Sequence, residues 1–189
     1  YKIISNERIY SQKFLLVYDS KVPAQLIKSI ISRFNKDKIE KKKIVFNEKS
    51  KNLKTVSSIV KILEKNNFSR NDSLISVGGG ICGDVCGFAS SIFKRGLKFI
   101  NVPTTLLSQV DSAIGGKTGI NSISGKNMIG SFYQPSLVIS DIDFLKSLPK
   151  REMICGYAEI LKHSLIKDKI FFKFLKKNFI KILNHDHKF

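Results

Sequence analysis

The sequence predicts an α/β protein: a mostly parallel sheet with helices on both faces over residues 1–149, then the beginning of an all-α unit over residues 150–189. Three observations predict it. Short apolar runs bounded by turn residues alternate with stretches of helical period, the rhythm that builds parallel sheets through helical crossovers. A run of glycines joins the third apolar run to a helix-like one. Beyond Pro149 the character changes and the period becomes helical.

In chain order, residues 14–18 (FLLVY) read as a buried strand ending in Asp19, and residues 22–34 carry apolar groups at helical spacing, with Pro23 tolerated in the first turn. Residues 43–46 (KIVF) read as the second strand and 52–66 as the second helix. Residues 74–77 are the third strand, 85–93 its helix, 99–102 the fourth strand and 137–140 a further one, followed by a short turn over 141–148 closed by Pro149. Residues 151–166 read as helix. After them Ile170, Phe171, Phe174, Leu175, Ile182 and Leu183 form an amphipathic stripe with lysines opposite, wide enough to stay partly uncovered in the isolated chain.

The chain of 189 residues, 42% hydrophobic, can bury one complete core and part of another. No apolar run approaches the roughly 18 residues of a membrane span and no signal peptide opens the sequence, which points to the cytoplasm. It starts at Tyr1 rather than methionine and stops within a helical pattern, so the expectation is a fragment. Cys82, Cys86 and Cys155 give no disulfide framework; the first two, four apart, read as reduced thiols packed as small apolar groups. The net charge of +18 raises nucleic-acid binding. Its lysines are spread over 36–51 and 167–188 among isoleucine and asparagine instead of forming one arginine-rich face, and this argues against nucleic acid and for a general pull on anionic substrates.

Gly78, Gly80 and Gly83 stand at G-x-G-x-x-G spacing between a strand and a helix, where bare backbone N–H groups and missing side chains let a pyrophosphate approach. The reading is Rossmann-like. From spacing alone a tight strand-to-helix turn explains the glycines as well. The acid that ordinarily follows about twenty residues later to hold a ribose is missing, and Asp84 sits inside the turn instead, so a nucleotide would bind in a variant arrangement. Asp19, the 48–51 segment, the Gly78 turn and Thr104 with Thr105 all fall at strand ends, so four ends point at one crevice.

The runs PTTLLSQVDS (103–112), GGKT (115–118), GKNMIGSFYQP (125–135) and AEILK (158–162) closely resemble the 3-dehydroquinate synthase family. The resemblance extends from about Lys13 to the chain end and is densest between Val77 and Lys162. It implies a dehydroquinate synthase-like fold of which the chain carries the NAD-binding domain, residues 1–149, and the start of a helical metal- and substrate-binding domain, 150–189. It implies NAD contacts at Asp19, Glu48, Lys51, Gly79, Gly80, Asp84, Thr104, Thr105, Lys117, Lys126, Phe144, Ser147 and Leu148, with Ser147 standing where threonine is commoner. Arg95, Lys117, Asn127 and Lys162 are implied to hold the substrate, and Glu159 to bind Zn2+ or Co2+.

Read without the resemblance, several of these residues have blander explanations. Glu159 and Lys162, three apart on one helix, form a surface ion pair. Arg95, Lys117, Lys126 and Asn127 sit in or beside glycine-rich turns as solvated groups. Asp111 is either paired with Lys117 or, as the resemblance implies, touches the reacting hydroxyl and the nicotinamide. The family's two further metal ligands are histidines, and His163, His185 and His187 occupy no matching position; the last two read as solvated.

The reaction implied is conversion of 3-deoxy-D-arabino-heptulosonate 7-phosphate to 3-dehydroquinate and phosphate on the shikimate pathway, by an enzyme homodimeric at full length, with NAD regenerated each turn. The rival expectations are another sugar phosphate cyclase, an NAD-dependent polyol dehydrogenase of the same fold, or, for this chain alone, an inactive NAD-binding module.

Overall fold

The computed structural model describes residues 11–184, so His185 and His187 lie outside the described residues. Five strands form one parallel sheet in the order β2-β1-β3-β4-β7: β1 (Phe14–Asp19), β2 (Ile39–Ile44), β3 (Ser73–Gly78), β4 (Lys98–Pro103) and β7 (Leu137–Val138). Helices α1 (Ala24–Ile31), α2 (Leu53–Lys65) and α3 (Gly80–Ile92) connect them. Strand alternation divides the core. Leu15, Val17 and Leu74 point to the face covered by α2 and α3, where Val56, Ile59, Leu63 and Val85 meet them. Phe14, Leu16, Ile75, Val77, Ile100 and Val102 point to the other, covered by Ile27 of α1 and by Phe144. Both faces are therefore dry, which is why these strands read as mostly apolar runs; their buried polar residues Ser76 and Asn101 bond each other at 2.7 Å.

Asn52 caps α2 by accepting the Thr55 N–H, and its C-cap is Asn66. Strand β2 is the exception to the apolar rule: it lies at Ile39–Ile44, not at 43–46, and reads IEKKKI. An edge strand has one unpaired side and tolerates lysines that repel foreign strands, so its charge hid it. Val45, predicted inside the strand, is exposed, while Phe46 turns back into the core. Helix α3 begins at Gly80 instead of residue 85, which moves Asp84 from a turn into the helix. Cys82 and Cys86 are fully buried on α3, and burial pushes the Cys82 thiol well up. They pack as apolar groups, as expected.

An antiparallel hairpin, β5 (Lys117–Ile120) with β6 (Ile129–Phe132), was not foreseen. Its residues Gly119 and Gly130 stand opposite each other, and a Cβ on Gly119 would lie 2.7 Å from the Ile129 carbonyl oxygen. Glycines that read as loop thus permit close strand approach. The hairpin lies against α3, where Gly87 faces Thr118 and a Cβ would come 3.1 Å from the Phe99 ring. Gly87→Ala is expected to cost about 1–3 kcal/mol by overpacking. Urea unfolding measures it, and Thr118→Ser, which removes the obstructing methyl, should recover most of the loss; no recovery would place the strain elsewhere.

Beyond Pro149, α4 (Lys150–Lys167) and α5 (Lys169–Leu183) pack on each other and on the preceding turns through Leu106, Leu145, Met153, Tyr157, Leu175 and Leu183. Gly156 lets α4 settle on Leu106, a contact that a side chain would block. Of the predicted stripe, Leu175 and Leu183 are buried, whereas Ile170, Phe171 and Phe174 remain exposed. None of the described helices is long and apolar enough to cross a membrane.

Candidate functional site

A cleft of about 700 Å³ opens beyond the carboxyl ends of β1, β3 and β4. Its floor is the start of α3, where Gly79 is the N-cap and makes no side-chain cap bond. The first N–H groups of the helix are thus left for an anion, reinforced by the helix dipole. A Cβ on Gly79 would lie 3.1 Å from Thr105 Cγ2, and one on Gly80 2.7 Å from Ser112 Oγ, so glycine keeps this floor open.

Ten of the expected residues line this cleft: Asp19, Gly79, Gly80, Asp84, Thr104, Thr105, Asp111, Phe144, Ser147 and Leu148. Asp19 ends β1, buried, and accepts the Lys21 N–H at 3.1 Å. Thr104 continues β4, its N–H donating to the Gly78 carbonyl at 2.9 Å. The Thr105 hydroxyl bonds Ser108 Oγ at 2.8 Å just before a wide π-helical turn, Ser108–Ser112, that carries Asp111 and Ser112 to the wall. Asp111 is exposed and forms no ion pair with Lys117, so burial exacts nothing from it and the pairing expected as one alternative is not seen.

Lys51 lies behind the wall, buried, with its Nζ 2.6 Å from Asp84 Oδ2 and 2.5 Å from Asn127 Oδ1. Burial raises the Asp84 carboxyl above its ordinary value; the bond and charge of Lys51 oppose this. Asn127 sits in the left-handed region at φ 56°, a conformation asparagine tolerates. Glu48 accepts from Asn121 Nδ2 at 2.8 Å, and that bond more than any other holds its carboxyl below the ordinary value. Lys126 faces Glu48 at 3.7 Å in the open.

The remaining residues stand apart. Lys117, exposed at the start of β5, lines a small depression shared with Gly83, Asp84 and Ser112. Arg95 lies in a separate shallow basin with Arg70, Lys98 and Tyr133, after Lys94 in a left-handed turn. Glu159, on α4, bonds Lys162 Nζ and lies 3.0 Å from His163 Nε2; Lys162 chiefly holds its carboxyl down. No three His, Cys, Asp or Glu residues that could hold a metal gather among the described residues. Sequence reasoning missed Ser108, Ser112 and Glu152 on the cleft wall, and Asn121 behind it. Ser112 follows Asp111 in the same motif and could have been read with it.

A parallel sheet with a glycine-floored cleft at its strand ends defines an α/β protein of the dinucleotide-cleft type. The family model for the N-terminal part of 3-dehydroquinate synthase matches residues 41–155. The chain belongs to the 3-dehydroquinate synthase family. The 3-dehydroquinate synthase of Pelagibacter ubique (strain HTCC1062) is 59% identical over 182 residues, which is 96% of this chain and 50% of that protein. Among solved structures, 2-epi-5-epi-valiolone synthase from Streptomyces hygroscopicus subsp. jinggangensis 5008, with NAD+ and Zn2+ bound, matches with a TM-score of 0.83 at 29% identity over 92% of this chain and 49% of that one. A 2-deoxy-scyllo-inosose synthase complexed with carbaglucose-6-phosphate, NAD+ and Co2+ matches with a TM-score of 0.77 at 31% identity, over 82% and 42%. The chain spans about half the length of these relatives.

Proposed function

We propose that this chain is the NAD-binding part of a 3-dehydroquinate synthase, which converts 3-deoxy-D-arabino-heptulosonate 7-phosphate to 3-dehydroquinate and phosphate. The observation that carries the reading is the cleft floored by Gly79 and Gly80 at the start of α3. The residues there fit a dinucleotide: free N–H groups for the pyrophosphate, glycines where a Cβ would intrude, and a volume of about 700 Å³. Bound NAD would supply a hydride acceptor that becomes the donor later in the same turnover. Asp19 would hold a ribose with Glu48 beside it, while Lys51 braces Asp84 and Asn127 from behind the wall and Phe144, Ser147 and Leu148 lie against the cofactor's other side.

Asp111, exposed on the wall, would accept a hydroxyl proton, and Lys117 with Asn127 would orient the phosphate and stabilise its departure. Arg95 is left out of this assignment because it lies in another basin. Glu159 is the metal ligand we assign, but the described residues gather no donor set around it, so no step is built on a metal. We take Pro149 as the boundary between the NAD-binding domain and the helical one, and the complete protein as a cytoplasmic homodimer. The exposed Ile123 and Phe132 of the hairpin region offer a second copy something to cover.

The test is a chimera in which this chain replaces the matching half of the Pelagibacter relative. It is expected to release phosphate from the seven-carbon substrate without net NADH accumulation, since the cofactor is regenerated. Net NADH with a polyol would make it a dehydrogenase, and turnover only of another sugar phosphate would make it a different cyclase. Calorimetry on the 189-residue chain is expected to show NAD binding, weaker than in the chimera; no heat at millimolar NAD from a folded chain would overturn the cleft's assignment.

A further inference from the structure

Asn121 ties together three segments beside the cleft wall. Its N–H donates to the Lys51 carbonyl at 2.9 Å, its Nδ2 donates to Glu48 Oε2 at 2.8 Å, and its Oδ1 accepts the Asn127 N–H at 2.9 Å. The segments so joined are the turn after β2, the end of β5 and the loop before β6. Phe46 and Asn47, just before Glu48, line the cleft, and Lys51 Nζ joins Asn127 to Asp84, which lines it too.

We propose that Asn121 is a positioning residue of the cleft rim, fixing the Glu48 carboxylate and the left-handed Asn127 so that Lys51 is held between Asp84 and Asn127 when a nucleotide binds. This rests on the nucleotide reading above. Only an uncharged amide satisfies both neighbours, because one end must donate to a carboxylate and the other must accept from a backbone N–H. Aspartate keeps the acceptor and sets a like charge against Glu48. Alanine removes both bonds and leaves the rim to its backbone.

The charged groups facing Glu48 are Lys126 at 3.7 Å and Lys51, with Asp84 beyond Lys51. A change of affinity between pH 5 and 8 that appears only with a carboxyl group at position 121 reports on the Glu48 pair.

The experiment compares wild type, Asn121→Asp and Asn121→Ala by calorimetry with NAD at pH 8 and pH 5, and by NMR titration of the Glu48 carboxyl. Wild-type affinity is expected to change little with pH. Asn121→Asp is expected to bind about tenfold more weakly at pH 8 and to recover toward pH 5, as the two carboxyl groups come to share a proton. Equal affinity at both pH values with wild-type strength would overturn the proposal, as would an unchanged Glu48 midpoint in Asn121→Ala, where it is expected to rise. A purely structural role would lower thermal stability in both variants without the pH-dependent recovery. If wild type itself gives no heat with NAD, the nucleotide reading fails, and the Glu48 titration still decides whether Asn121 positions the rim.

Discussion

Lys51→Met is expected to lower the free energy of unfolding at pH 7 by about 3 kcal/mol, the lower end of what removing one partner of a buried ion pair costs. The Lys51 and Asp84 side chains are only 7% and 21% exposed, and Lys51 also anchors the Asn127 side chain. Without the cation, a desolvated carboxylate remains on the α3 helix. Burial already raises the Asp84 pKa, so the folded state holds this proton more tightly than the unfolded chain does. Stability from such a group is present at low pH and is lost as pH rises through the folded pKa. Removing Lys51 moves that pKa higher still, because its bond and charge are what oppose burial. The gap between variant and wild type is therefore expected to be widest at neutral pH and to narrow as pH falls toward the ordinary carboxylate range. Urea unfolding at pH 7 and pH 5 measures it, with Asp84→Asn added to Lys51→Met recovering most of the loss. A gap of equal size at both pH values, with no recovery, would show that the lost lysine acts through packing alone.

The parts of this fold that could be read from sequence are those whose two faces are both dry. Residues 14–18, 74–77 and 99–102 lie inside β1, β3 and β4, because a strand buried on both sides is apolar at most positions, and the polar Ser76 and Asn101 are buried by bonding each other at 2.7 Å. Strand β2 slipped by several residues since an edge tolerates IEKKKI, and the hairpin stayed hidden because the glycines that let its backbones approach carry no apolar period. The site divides the same way. Its strand-end residues followed from where ligands sit in open α/β sheets, whereas the Lys51 contacts join residues 33 and 76 positions away and have no local signature. Asn121 was missed for that reason. Arg95, assigned to the substrate by resemblance, lines a basin other than the cleft, and the left-handed φ of Lys94 and Arg95 that sets its place has no signature in residue type.

Lys117 and Lys126 share glycine-rich surroundings and the same charge, and the structure gives them different expected effects. Lys126 is 71% exposed and its cation faces Glu48 at 3.7 Å, an arrangement worth little and already screened by water. No ion pair engages Lys117 among the described residues, and its depression borders Asp84 and Ser112, which also line the cleft. An uncommitted cation at the edge of an anion-binding floor is placed to meet a phosphate, and its attraction grows as negative charge develops on a departing group. In the chimera, Lys117→Met is expected to reduce kcat/KM for the phosphorylated sugar about a hundredfold, roughly 2.7 kcal/mol of transition-state stabilisation, while NAD affinity changes less than about threefold. Lys126→Met is expected to leave turnover within a few fold of the parent and to weaken NAD binding modestly, through Glu48. Steady-state kinetics beside calorimetric NAD titration separates the two lysines. A loss below about tenfold for Lys117→Met, or a loss shared equally between NAD affinity and turnover, would make Lys117 a solvated loop residue and leave the phosphate to other groups.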